Sequence, residues 1–138
     1  MHRILASVVL LPFLAAAHGA WGQTASLNAT AMEIAQLPRF CWAQFQVPNA
    51  DGPEFRMSDC GPAANHYCGA LVQVIRAKHT ANKSSRLDLL RHADSDVSYT
   101  ERGIQDYPRC SIRQDLAATK AEISSLIVIY GGKRPSAR

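Results

Sequence analysis

Four cysteines that follow an N-terminal segment typical of export signals constrain this chain more than any other feature. They are Cys41, Cys60, Cys68 and Cys110. Because the compartments outside the cytosol are oxidising, an even number of cysteines in an exported chain predicts disulfides. A chain of 138 residues supports one modest core, to which disulfides add useful stability. We therefore expect a single small domain held by two disulfides.

Residues 1–22 have the three regions of a secretory signal peptide. A basic start, Met1-His2-Arg3, precedes the apolar run Ile4–Ala17, and small residues follow up to Gly22. The apolar run is shorter than the roughly 20 residues that cross a bilayer. We expect the signal to be cleaved, with Gln23 or Ala20 beginning the mature chain. The mature protein is then periplasmic or secreted, without stable membrane insertion.

Apolar residues recur at helical spacing along most of the mature chain, and strand-like alternation is missing. The pattern predicts an all-α fold: one helical domain over residues 23–130, followed by a disordered basic tail at residues 131–138. The clearest amphipathic stripe is Leu90, Ala93, Val97, Thr100 and Ile104. The predicted helical segments are a short helix after Thr30, then Pro38–Gln46, Pro62–Lys78, Arg86–Asp106 and a last helix ending near Tyr130.

Local patterns mark three of the helix starts. A threonine or serine followed three residues later by glutamate or glutamine forms a capping box, in which each side chain satisfies a free backbone N–H. A lone serine just before a helix can also act as its N-cap. The predicted caps are Thr30 with Glu33, Ser84 or Ser85, and Ser111 with Gln114.

The order of the predicted helices favours one cysteine pairing among the three that four cysteines allow. Antiparallel packing of residues 62–78 against 86–106 brings Cys60 close to Cys110, because these cysteines flank the two adjacent helix ends. Cys41 and Cys68 then remain as the second pair. The first bridge would also fix the loop of residues 47–61, which is rich in turn-forming residues.

A zinc site formed by Cys60, His66, Cys68 and Cys110 is the main alternative use of the cysteines. Their spacing contains neither a C-x-x-C pair nor a His-x-x-x-His pair, so we expect no metal and no cofactor. A cysteine nucleophile requires an unpaired thiol, which an even cysteine count does not favour. The sequence predicts no catalytic residue.

His66 is the histidine best placed for a conserved structural role. It lies at a helix start in the motif Asn65, His66, Tyr67 and Gly69, which also contains Cys68, and its ring could bond a loop carbonyl. His79 falls in a predicted turn and His92 on an exposed helix face. These three positions do not suggest a shared catalytic site.

The charged residues do not form a phosphate-binding stripe. The formal net charge is +4, and it falls to +3 when the signal with Arg3 is removed. We therefore expect no nucleic-acid partner. Arg91 and Arg102 alternate with the acids on the exposed face of one helix, so intrahelical ion pairs explain that acidic surface. The acids are Asp94, Asp96, Glu101 and Asp106.

Three strings of the chain resemble a group of uncharacterised exported bacterial proteins that contain a tetratricopeptide-like helical hairpin. The strings are Leu37-Pro38-Arg39-Phe40-Cys41-Trp42, Asn65-His66-Tyr67-Cys68-Gly69-Ala70-Leu71, and Tyr99-Thr100 through Tyr107-Pro108-Arg109-Cys110. The resemblance covers most of residues 37–127 and implies the Cys41 with Cys68 pairing. Gly103 and Pro108 match the small residue and the terminal proline of a repeat unit. The Trp-x-x-Leu-Gly pattern is absent, and a single unit is present.

Together these features predict a protein–protein interaction module that acts outside the cytosol and binds an unknown protein partner. Repeat-like helix pairs present faces to partner peptides, although a fold alone does not determine a function. A small cell-envelope hydrolase that uses His66 with Asp59 is an alternative. A thiol- or metal-handling stress protein is another.

Overall fold

The structure, a computed structural model, describes residues 28–133. The predicted signal peptide and residues 134–138 of the predicted tail lie outside this range. The described chain is helical and contains no strand, which confirms the all-α prediction. Its α-helices are α1 (Ala31–Ala35), α2 (Asn65–His79), α3 (Lys83–Gly103) and α4 (Arg113–Ile129). Short 3-10 helices cover Arg39–Phe45, Pro53–Phe55, Ser58–Cys60 and Pro62–Ala64.

Helices α2 and α3 form an antiparallel hairpin closed by a turn at residues 80–82. The end of α3 lies beside the start of α2: the Thr100 hydroxyl donates to the Ala63 carbonyl at 3.2 Å. Gly103 makes the closest approach there, since a Cβ on it would come within 2.1 Å of the Ala63 Cβ. Fully buried Leu90, Ala93 and Val97 fill the seam from α3, as their periodicity predicted.

Helix α4 packs along one face of this hairpin. Its buried residues are Leu116, Thr119, Ile123 and Ile127. The hydroxyls of Tyr67 and Thr119 form a buried hydrogen bond of 2.8 Å between α2 and α4. Burial raises the pKa of Tyr67, so this hydroxyl keeps its proton at neutral pH. Two ion pairs flank the seam, Lys78 with Glu122 and Lys120 with Glu101.

Both disulfides have the pairing expected from the sequence. Cys41 is joined to Cys68, with 5.6 Å between their Cα atoms, and Cys60 is joined to Cys110 at 4.4 Å. None of the four cysteines is free. The first bridge ties residues 39–45 to α2, and the second closes the open end of the hairpin. Such a pair of bridges is typical of proteins from oxidising compartments.

Residues 37–61 are held by aromatic packing in addition to the disulfides. The Phe40 ring stacks on Tyr67 with 6.1 Å between centroids, and Trp42 stacks on Phe55 at 5.8 Å. The Arg39 guanidinium lies over Trp42 and Phe55, at 5.7 and 5.5 Å from their centroids. Residues 47–61, which the sequence predicts as a loop, thus contain two short helical turns, and the Trp42–Phe55 stack and the Cys60–Cys110 bridge hold them to the rest of the domain.

The helix starts match the sequence prediction at α1 but not at α3. At α1 the capping box forms: the Thr30 amide donates to Glu33 at 2.7 Å, and the Glu33 amide donates to the Thr30 hydroxyl at 3.3 Å. At α3 the N-cap is Asn82, whose Oδ1 accepts from the Ser85 amide at 2.9 Å. The prediction of Ser84 or Ser85 as the cap is wrong, because the helix already begins at Lys83.

The predicted capping box of Ser111 with Gln114 is also wrong. Helix α4 begins at Arg113 without a side-chain cap. Ser111 is engaged elsewhere, since its amide donates to Asp59 Oδ2 at 2.8 Å and its hydroxyl to Asp59 Oδ1 at 3.2 Å. The Asp59 carboxylate therefore binds Ser111, the residue expected to cap α4. This bond links the chain around residue 59 to residue 111, beside the Cys60–Cys110 bridge.

Candidate functional site

The α2–α3 hairpin has two long faces, and α4 covers one of them. We call the opposite face the open face. On each helix its residues are separated by seven and then by three positions, which places them on the same side of that helix. These residues are His66, Gln73 and Arg76 on α2, and Leu89, Asp96 and Tyr99 on α3. Among the described residues, the short helix α1 leans over part of this face, near the α2–α3 turn.

A mainly apolar groove lies on the open face between α1 and the turn end of the hairpin. Its volume is about 420 Å³. It is lined by Met32, Glu33, Gln36, Ile75, Arg76, His79, Thr80 and Leu89. Met32 is 79% exposed although its side chain is apolar. A groove of this size can accept a few side chains of a partner or a small ligand.

An ion pair holds α1 in place as the outer wall of this groove. Arg76 donates from Nε to Glu33 Oε1 at 2.6 Å and from Nη2 to Oε2 at 3.1 Å. The same Nη2 donates to the Asn28 carbonyl at 2.9 Å. The hydrogen bonds from Arg76 lower the pKa of Glu33 to about 2. Because no residue of α1 is buried, this bidentate pair is its main polar attachment to the hairpin.

A polar cluster, consisting of His66, Gln73, Asp96 and Tyr99, continues the open face beyond the groove. His66 Nδ1 lies 3.3 Å from Asp96 Oδ1, and Gln73 Nε2 donates to Asp96 Oδ2 at 3.0 Å. The Tyr99 ring is tilted against the imidazole with 4.4 Å between centroids. The carboxylate therefore fixes the orientation of the His66 ring.

Two atoms of this cluster are free to bind a further group. Within residues 28–133, His66 Nε2 and Gln73 Oε1 have no hydrogen-bond partner. Every buried side-chain nitrogen or oxygen in that range does have one, so both atoms reach solvent, although Gln73 as a whole is only 8% exposed. They can hydrogen-bond a ligand. No serine, threonine or cysteine in the described chain bonds to the imidazole, so the geometry shows no activated nucleophile.

The His66 ring has a different bonding partner from the one that the sequence suggested, and the structure places the rest of its motif. The ring bonds Asp96 on α3, where a loop carbonyl was expected, because antiparallel packing brings residue 96 opposite the first turns of α2. Tyr67 and Gly69 are buried on α2. Asn65 is exposed, and its carbonyl accepts from Gln44 Nε2 at 2.8 Å.

The acidic residues of α3 do not form the intrahelical pairs expected with Arg91 and Arg102. Arg91 bonds Asp88 instead, at 3.1 Å. Asp96 is bound to residues of α2, and Glu101 pairs with Lys120 of α4. Residues of α2 and α4 thus bind carboxylates that were expected to pair within α3. A sequence pattern confined to one helix cannot reveal such contacts.

Neither a hydrolase pair nor a thiolate metal site is assembled from the residues proposed for them. His66 bonds Asp96, whereas Asp59 bonds Ser111, so these two residues do not form a dyad. Cys60, Cys68 and Cys110 are all in disulfides, which removes the thiolates that a zinc site with His66 requires. Residues 28–133 contain no cluster of three potential metal ligands of the His, Cys, Asp or Glu type.

Sequence reasoning missed the groove because its walls come from three separate helices. In the sequence, Met32 and Ile75 lie at helical spacing with other apolar residues of their own helices, so neither differs from an ordinary core residue. Leu89 is adjacent to the core stripe of α3 but lies outside it, which was the one available signal.

In the described part of the chain, no helix is long and apolar enough to cross a membrane.

Comparison with known proteins identifies no relative of this chain: it matches no protein-family model, no curated protein and no solved structure. The resemblance to exported bacterial proteins with a tetratricopeptide-like hairpin stays a prediction.

Proposed function

We propose that this protein is an exported interaction module that binds a segment of a partner polypeptide on the open face of its α2–α3 hairpin. The observation that carries the proposal is the groove, where Met32 remains 79% exposed beside Ile75 and Leu89. An exposed apolar side chain that borders a concave apolar surface is a common feature of protein-binding sites.

The chemistry of the open face suits a polypeptide partner. Methionine adapts its shape to different apolar side chains, so Met32 can close over an anchor residue seated in the groove. Beyond the groove, His66 Nε2 and Gln73 Oε1 can bond the backbone or polar side chains of the same segment. This combination of an apolar anchor and peripheral hydrogen bonds is usual at protein interfaces.

The two disulfides support a site of action outside the cytosol, in the periplasm or the surroundings of the cell. The signal-like residues 1–22 point to the same route. In such a compartment the bridges hold the hairpin and the residues 37–61 segment rigid, so the open face is organised before a partner arrives. Preorganisation of this kind favours affinity because little ordering entropy remains to be lost.

The test is selection of random peptides on the exported, oxidised protein, followed by affinity measurement on two matched variants. Met32→Asp introduces a charge into the groove, and Val128→Asp introduces the same charge on α4, where the native valine is 45% exposed. We expect selected peptides to contain apolar anchors. Their affinity should fall at least about tenfold for Met32→Asp, as for loss of an interface anchor, and stay within about twofold for Val128→Asp.

The proposal is wrong if no peptide is enriched, or if enriched peptides bind Met32→Asp as tightly as the native protein. A larger loss with Val128→Asp would transfer the binding site to α4. Circular dichroism and the elution volume of both variants check that each remains folded.

A further inference from the structure

Seven of the fifteen lysines and arginines of the chain lie in two segments of the sequence. Residues 76–87 and 123–138 contain seven lysines and arginines and no aspartate or glutamate. The rest of the chain has eight basic and eleven acidic residues. The net charge of +4 therefore arises from two segments, and the remainder is negative.

The described parts of these two segments, residues 76–87 and 123–133, meet in space where the α2–α3 turn lies beside the C-terminus of α4. The Arg86 guanidinium stacks over the Tyr130 ring at 4.1 Å. Lys83 lies against Gly131, since a Cβ placed there would come within 2.8 Å of Nζ. Gly132 packs near Leu87, since a Cβ on Gly132 would come within 3.1 Å of Leu87 Cδ2. Lys83, Arg86 and Lys133 thus belong to one surface, called the basic end below.

Among residues 28–133, the cations of the basic end lack acidic partners, in contrast to those nearer the helix seams. Arg76 is neutralised by Glu33 and Lys78 by Glu122. Within the described residues, no carboxylate pairs with Lys83, Arg86 or Lys133. Arg86 instead donates to the Thr80 carbonyl at 2.9 Å from Nε, which fixes its position without cancelling its charge.

Two apolar side chains are exposed in the turn of α4 that leads to these cations. Ile129 is 71% exposed and Val128 is 45% exposed, in the last turn of α4 directly before Tyr130. The sequence continues beyond Lys133 with Arg134 and Arg138, which lie outside the described residues. A cluster of cations beside exposed aliphatic side chains is the combination by which peripheral proteins attach to anionic lipid.

We propose that the basic end is a docking surface for a bilayer that contains anionic phospholipid. Lys83, Arg86 and Lys133 attract the phosphate headgroups, and Ile129 with Val128 inserts into the boundary between headgroups and acyl chains. The protein lies on the membrane without spanning it. The open face, on the other side of the hairpin from α4, stays available, so this inference does not depend on the proposed partner binding.

The experiment is co-sedimentation of the exported protein with vesicles of phosphatidylcholine alone, or with about 30% phosphatidylglycerol. The double variant Lys83→Glu with Lys133→Glu removes the attraction, and glutamate in the first turn of α3 is compatible with the helix. The control is Arg102→Glu with Arg109→Glu, which changes the net charge equally. Arg102 lies at the other end of α3, about 28 Å from Lys83 and well beyond a Debye length.

We expect binding only with phosphatidylglycerol and loss of binding at high salt. Because each cation near such a surface contributes about fivefold in affinity, the Lys83 and Lys133 double variant should lose at least about 20-fold. The control should stay within about twofold, and Ile129→Ser alone should weaken binding by a few-fold. Absence of binding to anionic vesicles, or equal loss in both double variants, overturns the proposal. Tighter binding to a DNA duplex than to these vesicles also overturns it and assigns the surface to nucleic acid.

Discussion

The two faces of the α2–α3 hairpin are built from the same helices but have opposite properties. Helix α4, with 17 residues, seals one face with buried Leu116, Ile123 and Ile127. Within the part of the chain that the structure describes, the other face meets α1, which has five residues and buries none of them. There the apolar groove is open and the His66 and Asp96 side chains of the polar cluster are partly exposed. One face therefore stabilises the fold, whereas the other can exchange its contacts with water for contacts with a partner.

The largest difference between the two faces should be in the unfolding free energy lost when an isoleucine on each face is replaced by alanine. Ile123 of α4 is fully buried against the hairpin, and Ile75 of α2 is half-buried in the groove. We expect Ile123→Ala to lower the free energy of unfolding by about 2–4 kcal/mol, because it leaves a cavity. Ile75→Ala should cost less than about 1.5 kcal/mol. Urea denaturation measures both values, and equal losses would show that the open face is as tightly packed as the covered one.

A second pair of variants removes one hydroxyl from each face. In Tyr67→Phe the buried Thr119 hydroxyl loses its partner, which should cost about 1–2 kcal/mol of unfolding free energy. Tyr99→Phe changes a ring that is 48% exposed, and should stay within about 0.5 kcal/mol. Thermal unfolding of the two proteins side by side is sufficient. A larger cost for Tyr99→Phe would mean that its hydroxyl supports the fold.

The attachment of α1 to the open face should depend on pH. The folded-state pKa of Glu33 is about 2, below the ordinary 4.5, because the carboxylate is bonded to Arg76. Its contribution to stability is therefore complete above about pH 5 and is lost as the pH falls toward 2. Glu33→Gln should cost about 1 kcal/mol at pH 7 and progressively less in acid. Glu122→Gln, which opens the exposed pair with Lys78, is the control and should change little at either pH.

The smallest expected change in the free energy of unfolding is a stabilisation, and it concerns a residue on the covered side of the hairpin. Asp94 of α3 is half-buried, and burial raises its pKa, the largest of the influences on it. At neutral pH the ionised carboxylate therefore costs folding free energy that a neutral amide does not. Asp94→Asn should stabilise the protein by up to about 0.5 kcal/mol at pH 7. A clear destabilisation would indicate that the attraction to Lys120 outweighs burial.

The sequence was sufficient for the helices and the disulfides because both depend on regular patterns. The stripe from Leu90 to Ile104 defined the buried side of α3, and the antiparallel order of two helices brought Cys60 to Cys110. Sequence patterns were insufficient where a residue bonds to a partner far away in the chain. Ser111 bonds Asp59 and does not form its predicted capping box, and the His66 ring bonds Asp96 and not a loop carbonyl. The partners in these two pairs are 52 and 30 residues apart, beyond the reach of any helical pattern.

Amide hydrogen exchange, measured with and without a saturating selected peptide, tests most directly whether the open face is the binding face. We expect the peptide to slow exchange in residues 31–36, in the last turns of α2 and in α3 around Leu89. Residues 113–129 should exchange equally in both samples. Slowed exchange confined to α4, with no change in α1 or α2, would contradict the assignment of binding to the open face.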